Sequence, residues 1–493
     1  MSILGLCIGE SSPGSAVFIS KTMPGMGEYV VLEYDGMKIL GMTEGIVRGS
    51  PSITGDIIDP DVVERILKFE GIDEQYVRGR VKLLGDIEKL EIPKIAPPPG
   101  TRVKKADSEI LRKIFSSGNV RLGTLLSNPE VEVRVDASRM ITRHLSILAI
   151  TGAGKSNTVS IIIDGIIKLG GMPLIFDMHS EYTDAEFSGG VKKIEPRLNP
   201  IYLSPDEFKI LVDIGKEAHL QERYLRKAYQ TARERISRGG RDFIREVVLA
   251  LGEIQESEGN FTQSEKSAVV GVINKVEDFE SKYKGLVDAY AGDMYEQLEL
   301  GRANVIDLGS VDEDYADVIV SHMLRKLLYL RKSRKVAPVF CILEEAHLLA
   351  PANRPTLSKY WIERVAREGR KFGLGLCLVS QRPKSLDSNS LSQANNSIIM
   401  RIVEPSDQRH VQQTSERLSD DLIGQLSSLN VGEAVVLGLM VRVPALVKID
   451  RFEGKITGGD PEIVEEWKTL NENQIIEDKK QKKEVDSLYD GMD

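Results

Sequence analysis

Cysteine is scarce in this 493-residue chain: only Cys7, Cys341 and Cys377 occur. Three scattered thiols are too few for a disulfide framework or a cysteine-based zinc site, and they point to a reducing, cytoplasmic setting. Long apolar runs are also missing, so no segment is expected to span a membrane. The N-terminal "MSILGLCIGE" has no basic stretch leading into a long apolar core, so no signal peptide is read. An excess of positive charge is absent too, with 65 Lys+Arg against 74 Asp+Glu and a formal net charge of −9. That excludes a surface coated in cations for non-specific nucleic-acid binding. A local basic groove or pore remains compatible with an acidic exterior. No internal repeat is present.

What the chain does contain is two kinds of β sequence. In the first ninety or so residues, "EYVVLEY" and "MKILGMTEGIVRG" are rich in β-branched and aromatic residues and flank Asp35-Gly36, a hairpin-turn signal. "RVKLLGD", Arg80 to Asp86, reads as a further strand. The prolines of "IAPPPG", Ile95 to Gly100, then stop regular structure and suggest a linker. A small β-barrel or sandwich is therefore expected over residues 1–95.

Beyond it, "VEVRVD" (Val131 to Asp136) alternates as a half-buried strand does. From Leu145 the strands change character. "LSILAI", "MPLIFD", "NVIDLG", "APVFCILEE", "LGLCLVS" and "NSIIMRIVE" are short, nearly continuous apolar runs, suited to a mostly parallel sheet buried on both faces. Residues 204–300 lack strand signals and are dense in Glu, Arg, Lys, Leu and Ala, which predicts an inserted helical bundle. The expected core thus falls in two parts, 96–203 and 301–465, followed by a charged tail over 466–493.

"AITGAGKS", Ala149 to Ser156, fits the phosphate-loop pattern G-x-x-x-x-G-K-[ST] except for alanine at its first position. Gly152 and Gly154 let the backbone turn its N–H groups toward a β-phosphate, and Lys155 reaches the β/γ oxygens. The Ser156 hydroxyl suits Mg²⁺, and the helix after it directs its N-terminal dipole at the anion. The nucleotide-binding set read here is Gly152, Ala153, Gly154, Lys155, Ser156 and Asn157, with ATP and Mg²⁺ as ligands.

Such a loop needs an acidic pair at the end of another central strand. The apolar run Val339 to Leu343 ends in Glu344 and Glu345. Glu344 is read as the second Mg²⁺ ligand, and Glu345 as the group that polarises the attacking water. Acids are also favoured in a first helical turn, which is the plain alternative. Gln381, at the end of the next strand, is placed to sense a γ-phosphate, and Arg382 to meet phosphate or a neighbouring subunit. A polar turn closed by Pro383 accounts equally for "SQRP". Asp177, His179 and Glu181 in "DMHSEY" read as a metal-binding trio or, in preference, as acidic support for the Mg²⁺ site, with a turn histidine as the default for His179.

"RHLSILAITGAGKSNTV", "IFDMHSEY", "ILEEAHLLAP", "SKYWIERVAREGRKFGLGLCLVSQRPKSLD", "LSQANNSIIMRI" and "LSSLNVGEAVV" occur in one order. In that order the chain resembles the HerA helicase family, relatives of the FtsK DNA pumps. The resemblance implies an α/β fold: a RecA-like P-loop NTPase core, an N-terminal HAS-barrel and an inserted helical bundle. It also implies a homohexameric ring that hydrolyses ATP, moves along double-stranded DNA and works beside the nuclease NurA in processing broken ends. By the same resemblance Arg370, with Arg367 as runner-up, is an arginine finger into a neighbouring subunit's site. Arg143 resembles a nucleotide-contacting arginine, and Lys448 and Ile449 resemble a C-terminal segment that reaches a nucleotide. Two basic clusters, "RKSRK" (Arg331 to Lys335) and "RISRGGRDFIR" (Arg235 to Arg245), are candidates for DNA phosphates or simply exposed helix ends. The rival class is a VirB4-like conjugation or protein-export motor, which the absent membrane segment and the β-rich N-terminus disfavour.

Overall fold

The computed structural model describes residues 2–25, 27–70, 75–239, 242–257, 261–415 and 418–456, together with 463 and 467. The tail expected over 466–493 lies, apart from residue 467, outside the described residues, as do Gly240 and Arg241 of the second basic cluster. Among the described residues no helix is long and apolar enough to cross a membrane.

The first β assembly is a closed barrel. Its strands are β1 (Ile3–Ser12), β2 (Ser15–Ser20), β3 (Tyr29–Tyr34), β4 (Met37–Gly49), β5 (Tyr76–Asp86) and β6 (Arg102–Lys105), joined in the order β1-β2-β5-β4-β3-β6. Asp35 and Gly36 link β3 to β4 with φ of 49° and 75°, the two positive values that a type I′ hairpin requires. Alternation in β3 divides its side chains between two cores. Val30 and Leu32 point into the barrel with Phe18 and Val81, whereas Tyr29 and Val31 join the main core of the molecule.

β6 pairs with both β1 and β3, so the barrel closes only after the proline run. The boundary expected at residue 95 falls short of this last strand. Four residues reading "RVKK" carry too little apolar alternation to stand out from a linker.

The second assembly is an eleven-stranded sheet. Its strands are β7 (Val120–Leu125), β8 (Asn128–Val135), β9 (Leu145–Leu148), β10 (Pro173–Asp177), β11 (Val191–Ile194), β12 (Ala303–Asp307), β13 (Val339–Leu343), β14 (Leu374–Ser380), β15 (Asn396–Ile399), β16 (Glu433–Leu437) and β17 (Ala445–Ile449). The order is β11-β12-β10-β13-β14-β9-β15-β16-β17-β7-β8. Pairing is parallel from β11 through β15 and antiparallel from there to β8. Every residue of β9, β10, β13 and β14 is buried, as parallel strands covered by helices on both faces must be. β17 lies between β16 and β7, in the interior of the sheet.

Between β11 and β12 come the helices Pro205–Leu211, His219–Ser237, Phe243–Ser257 and Gln263–Lys282, packed around Phe208, Tyr229, Phe243 and Phe279. Arg325 of helix Glu313–Lys332 bonds to the buried Glu207 at 3.0 Å and ties this bundle to the core. The barrel is fixed to the other end of the sheet: the Tyr29 hydroxyl donates to the Pro444 carbonyl at 2.7 Å, just before β17.

Candidate nucleotide site

Because β9, β13 and β14 are parallel neighbours, the residues that follow them emerge at one edge of the sheet, here termed the exit edge. The loop after β9 holds Gly152 at φ 77° and Gly154 at φ 101°, left-handed values that glycine adopts without steric cost. Helix Lys155–Lys168 starts directly on it. Ala149 is fully buried, its N–H donating to the Ser380 carbonyl at 3.2 Å, so alanine is accommodated where the pattern has glycine.

Lys155 Nζ lies 2.7 Å from Glu344 Oε2 and 3.1 Å from Glu345 Oε1, and all three side chains are nearly buried. The ammonium and the two carboxylates shift one another. Burial pulls Lys155 down, but the two carboxylates more than offset it and its net shift is upward. Burial raises Glu345, yet His347 and Lys155 outweigh it and hold that carboxyl at about 2. Burial dominates at Glu344 and leaves it raised despite Lys155. Glu345 itself sits at φ 43°, ψ 47°, a left-handed conformation that costs a non-glycine residue about 1–3 kcal/mol and is found chiefly at functional sites.

Further side chains hold these groups. The Tyr182 hydroxyl donates to Glu344 Oε1 at 2.7 Å, and Ser156 Oγ donates to Glu181 at 2.6 Å. Thr151 Oγ1 donates to Gln381 Oε1 at 2.6 Å, which ties the end of β14 to the phosphate loop. His347 Nδ1 stands 3.1 Å from Glu345 Oε2. Thr151, Tyr182 and His347 escaped the sequence reading, although each lies within two residues of a group it did select.

Asp177 has a different part from the one expected. It accepts backbone N–H groups from His179, Glu181 and Tyr182 and shapes their loop, so only Glu181 reaches Ser156, while His179 is exposed. The donors around the loop are all oxygens, from Ser156, Glu344 and Glu181, and suit a hard cation such as Mg²⁺.

Lys448 and Ile449 join the loop through one glycine. Gly432 N–H donates to the Ala153 carbonyl at 3.0 Å, Ile449 N–H to the Gly432 carbonyl at 2.8 Å, and Lys448 Nζ to the Val431 carbonyl at 2.8 Å. The Asn157 amide is taken up by the segment after β17, donating to the Asp450 carbonyl and accepting from Phe452 N–H, each at 2.8 Å. The Asn157 side chain is thus engaged within the chain and only its backbone remains open to a ligand.

Arg143 and Arg370 are not in this cluster. Arg143 precedes β9 and Arg370 precedes β14, so both stand at the entry edge of the sheet. About 13 Å of strand separates Arg143 from the start of the phosphate loop. Helix Ala137–Thr142 packs against the turn Gly369–Phe372, so the two arginines share one region. Arg370 lies on that 3₁₀ turn rather than on the preceding helix, Leu357–Glu368. Neither guanidinium has a hydrogen-bond or ion-pair partner among the described residues, whereas Arg367 pairs with Glu363 at 3.6 Å. The basic clusters are partly engaged within the chain: Arg331 Nε donates to the Phe372 carbonyl at 2.6 Å, and Arg235 pairs with Glu253 at 2.6 Å.

Family models place the same parts along the chain. The HAS barrel domain matches residues 4–89, the Helicase HerA central domain residues 120–327, and the Helicase HerA-like C-terminal domain residues 331–486. The chain is 42% identical to the DNA double-strand break repair helicase HerA of Sulfolobus acidocaldarius, covering 96% of this chain and 98% of that one. It is 31% identical to the probable DNA double-strand break repair helicase HerA of Methanocaldococcus jannaschii, over 94% and 99% of the two chains. Among solved structures, VirB4 of Thermoanaerobacter pseudethanolicus aligns with TM-score 0.50 at 15% identity, over 69% of this chain and 98% of that one. The plasmid coupling protein TrwB in complex with ADP and Mg²⁺ aligns with TM-score 0.51 at 14% identity, over 72% and 94%. These structural likenesses speak for the fold alone.

Proposed function

Because the chain belongs to the HerA helicase family of P-loop ATPases, we propose that it is a ring-forming, ATP-driven translocase and helicase of double-stranded DNA. In this reading six copies form the ring, and a NurA-like nuclease docks on the barrel side to resect broken ends for homologous recombination. The observation that carries it is the convergence of Lys155, Glu344 and Glu345 at the exit edge, with Arg143 and Arg370 at the entry edge without a side-chain partner among the described residues.

The chemistry follows from those positions. Backbone N–H groups from Gly152 to Asn157 cradle the phosphates at a helix N-terminus. Lys155 leaves the two carboxylates for the β/γ oxygens of ATP. Ser156 and Glu344 would hold Mg²⁺, which would supply positive charge to the phosphates, while Glu181 and Tyr182 orient those two side chains. Glu345, released from Lys155, holds the attacking water and accepts its proton. Gln381, braced by Thr151, reports the γ-phosphate. Lys448 and Ile449 line the side of the loop where Gly432 meets Ala153. A neighbouring copy presents Arg370, with Arg143 beside it, to the transferring phosphoryl group.

The test is the rate of ATP hydrolysis with and without linear double-stranded DNA, with Lys155→Ala as the blank. Strong stimulation by DNA that vanishes in the variant is expected. Hydrolysis indifferent to linear duplex would overturn the DNA motor in favour of an export-type motor. For the nuclease, cross-links from the assembled pair are expected on the barrel strands; cross-links confined to the eleven-stranded sheet would overturn that docking side.

A further inference from the structure

His144 follows Arg143 directly and is almost completely buried, with 3% of its surface exposed. Its ring is fixed at both nitrogens. Nδ1 accepts the N–H of Leu376 in β14 at 3.1 Å, which leaves the proton on Nε2, and Nε2 donates to the Ala366 carbonyl at 3.0 Å. Ala366 lies in the last turn of helix Leu357–Glu368, just ahead of the turn that carries Arg370. The ring therefore joins the residue next to Arg143 to the chain on both sides of Arg370.

The backbone at this point is held as firmly. His144 adopts φ 59°, an uncommon left-handed value that turns the chain sharply from helix Ala137–Thr142 into β9. The buried Asn396 secures that turn, its amide donating to the His144 carbonyl at 2.9 Å and to the Arg139 carbonyl at 3.1 Å. Asn395 N–H donates to the Arg143 carbonyl at 3.0 Å. None of these bonds touches the phosphate loop or the two glutamates at the exit edge.

We infer that His144 is a positioning residue for the entry edge: it sets Arg143 and Arg370 in register with each other so that both can reach the nucleotide of a neighbouring copy. The inference rests on the reading that these arginines act between copies. It makes His144 indispensable to the neighbour's turnover and dispensable to nucleotide binding in its own subunit. Neutral imidazole suits the post because it offers one donor and one acceptor on opposite sides of a rigid ring, and burial lowers its basicity to about 4.

The test uses full-length protein in mixed rings. His144→Ala and Arg370→Ala are each combined with Glu345→Gln, which cannot hydrolyse ATP itself but keeps an intact entry edge. Expected is that His144→Ala alone binds ATP within about threefold of the unmodified chain, hydrolyses it at least about tenfold more slowly, and regains activity on mixing, as Arg370→Ala does. Rescue of Arg370→Ala without rescue of His144→Ala would overturn the positioning role and leave the trans arginine standing. Failure of Arg370→Ala to be rescued would instead remove the trans reading on which the inference rests. His144→Gln, which keeps one side-chain donor, serves if the alanine variant does not assemble. If neither variant forms rings that bind nucleotide, His144 is a folding residue and the proposal is wrong.

Discussion

The two edges of the parallel sheet differ in how their charges are satisfied. At the exit edge the main polar groups of the candidate site are paired within the same chain: Lys155 with both glutamates, Ser156 with Glu181, Gln381 with Thr151. At the entry edge the scaffold is bonded as thoroughly, but it ends in two guanidinium groups without partners among the described residues. Arg370 is exposed and Arg143 half-buried, so both guanidinium groups stand open to a planar, anionic partner, which their geometry suits. One edge is thus satisfied within the chain, while the other leaves two cations open to something outside it. In the proposed ring a second copy would supply both what the first edge lacks and what the second edge offers.

The largest expected break in this contrast is Arg370→Ala. Loss of a cation that acts only on the transferring phosphoryl group should lower turnover by about 10³–10⁵-fold with nucleotide affinity nearly unchanged. Single-turnover hydrolysis and binding of a non-hydrolysable analogue measure the two separately. An equal loss in affinity would place Arg370 in ground-state binding instead. Next comes Glu345→Gln at the exit edge, expected to slow hydrolysis by about 10²–10⁴-fold while retaining ATP. Turnover at the unmodified rate would strip Glu345 of its role.

Why one edge was easier to read from sequence than the other has a physical basis. The phosphate loop and the acidic pair are contiguous, and their chemistry demands fixed residue types at fixed spacing. Gly152, Gly154, Lys155 and Ser156 could be picked out before any strand was placed. The parallel core was legible for a similar reason, since runs such as "VFCIL" and "LGLCLVS" are apolar at every position. Partners supplied from afar in sequence were not legible. Tyr182 meets Glu344 across 162 residues, and His144 meets Ala366 across 222. β6 was missed because a four-residue strand lies below what alternation can resolve. Arg143 and Arg370 came from family resemblance, for nothing in an arginine's local sequence says which subunit it serves.

The contrast can be sharpened by pH. His144 is buried neutral, with its basicity lowered to about 4, whereas in the unfolded chain it titrates near 6.5. Between those values the unfolded state binds the extra proton, so stability falls as pH drops from about 6.5 toward 4 and is insensitive to this group above 6.5. The full contribution is about 3 kcal/mol. Denaturant midpoints at pH 7 and pH 5 for the unmodified chain and His144→Gln isolate it, because other titrating groups cancel in the comparison. Equal slopes in the two proteins would mean that His144 is not held neutral by its two bonds.

The smallest expected effect distinguishes neighbours on the same edge. Arg367 lies three residues before Arg370 and carries the same charge, but it is tied to Glu363 one helical turn back, with more than half of its side chain in solvent. An exposed i,i+4 pair contributes about 0.3–0.5 kcal/mol. Arg367→Ala should therefore shift the denaturation midpoint barely and leave turnover within about twofold. Its exposure resembles that of Arg370; what separates the two is the partner. If Arg367→Ala instead matched the loss in Arg370→Ala, the lack of a partner within the chain would no longer identify the arginine meant for another copy. The choice between the two would then pass to the geometry of the assembled ring.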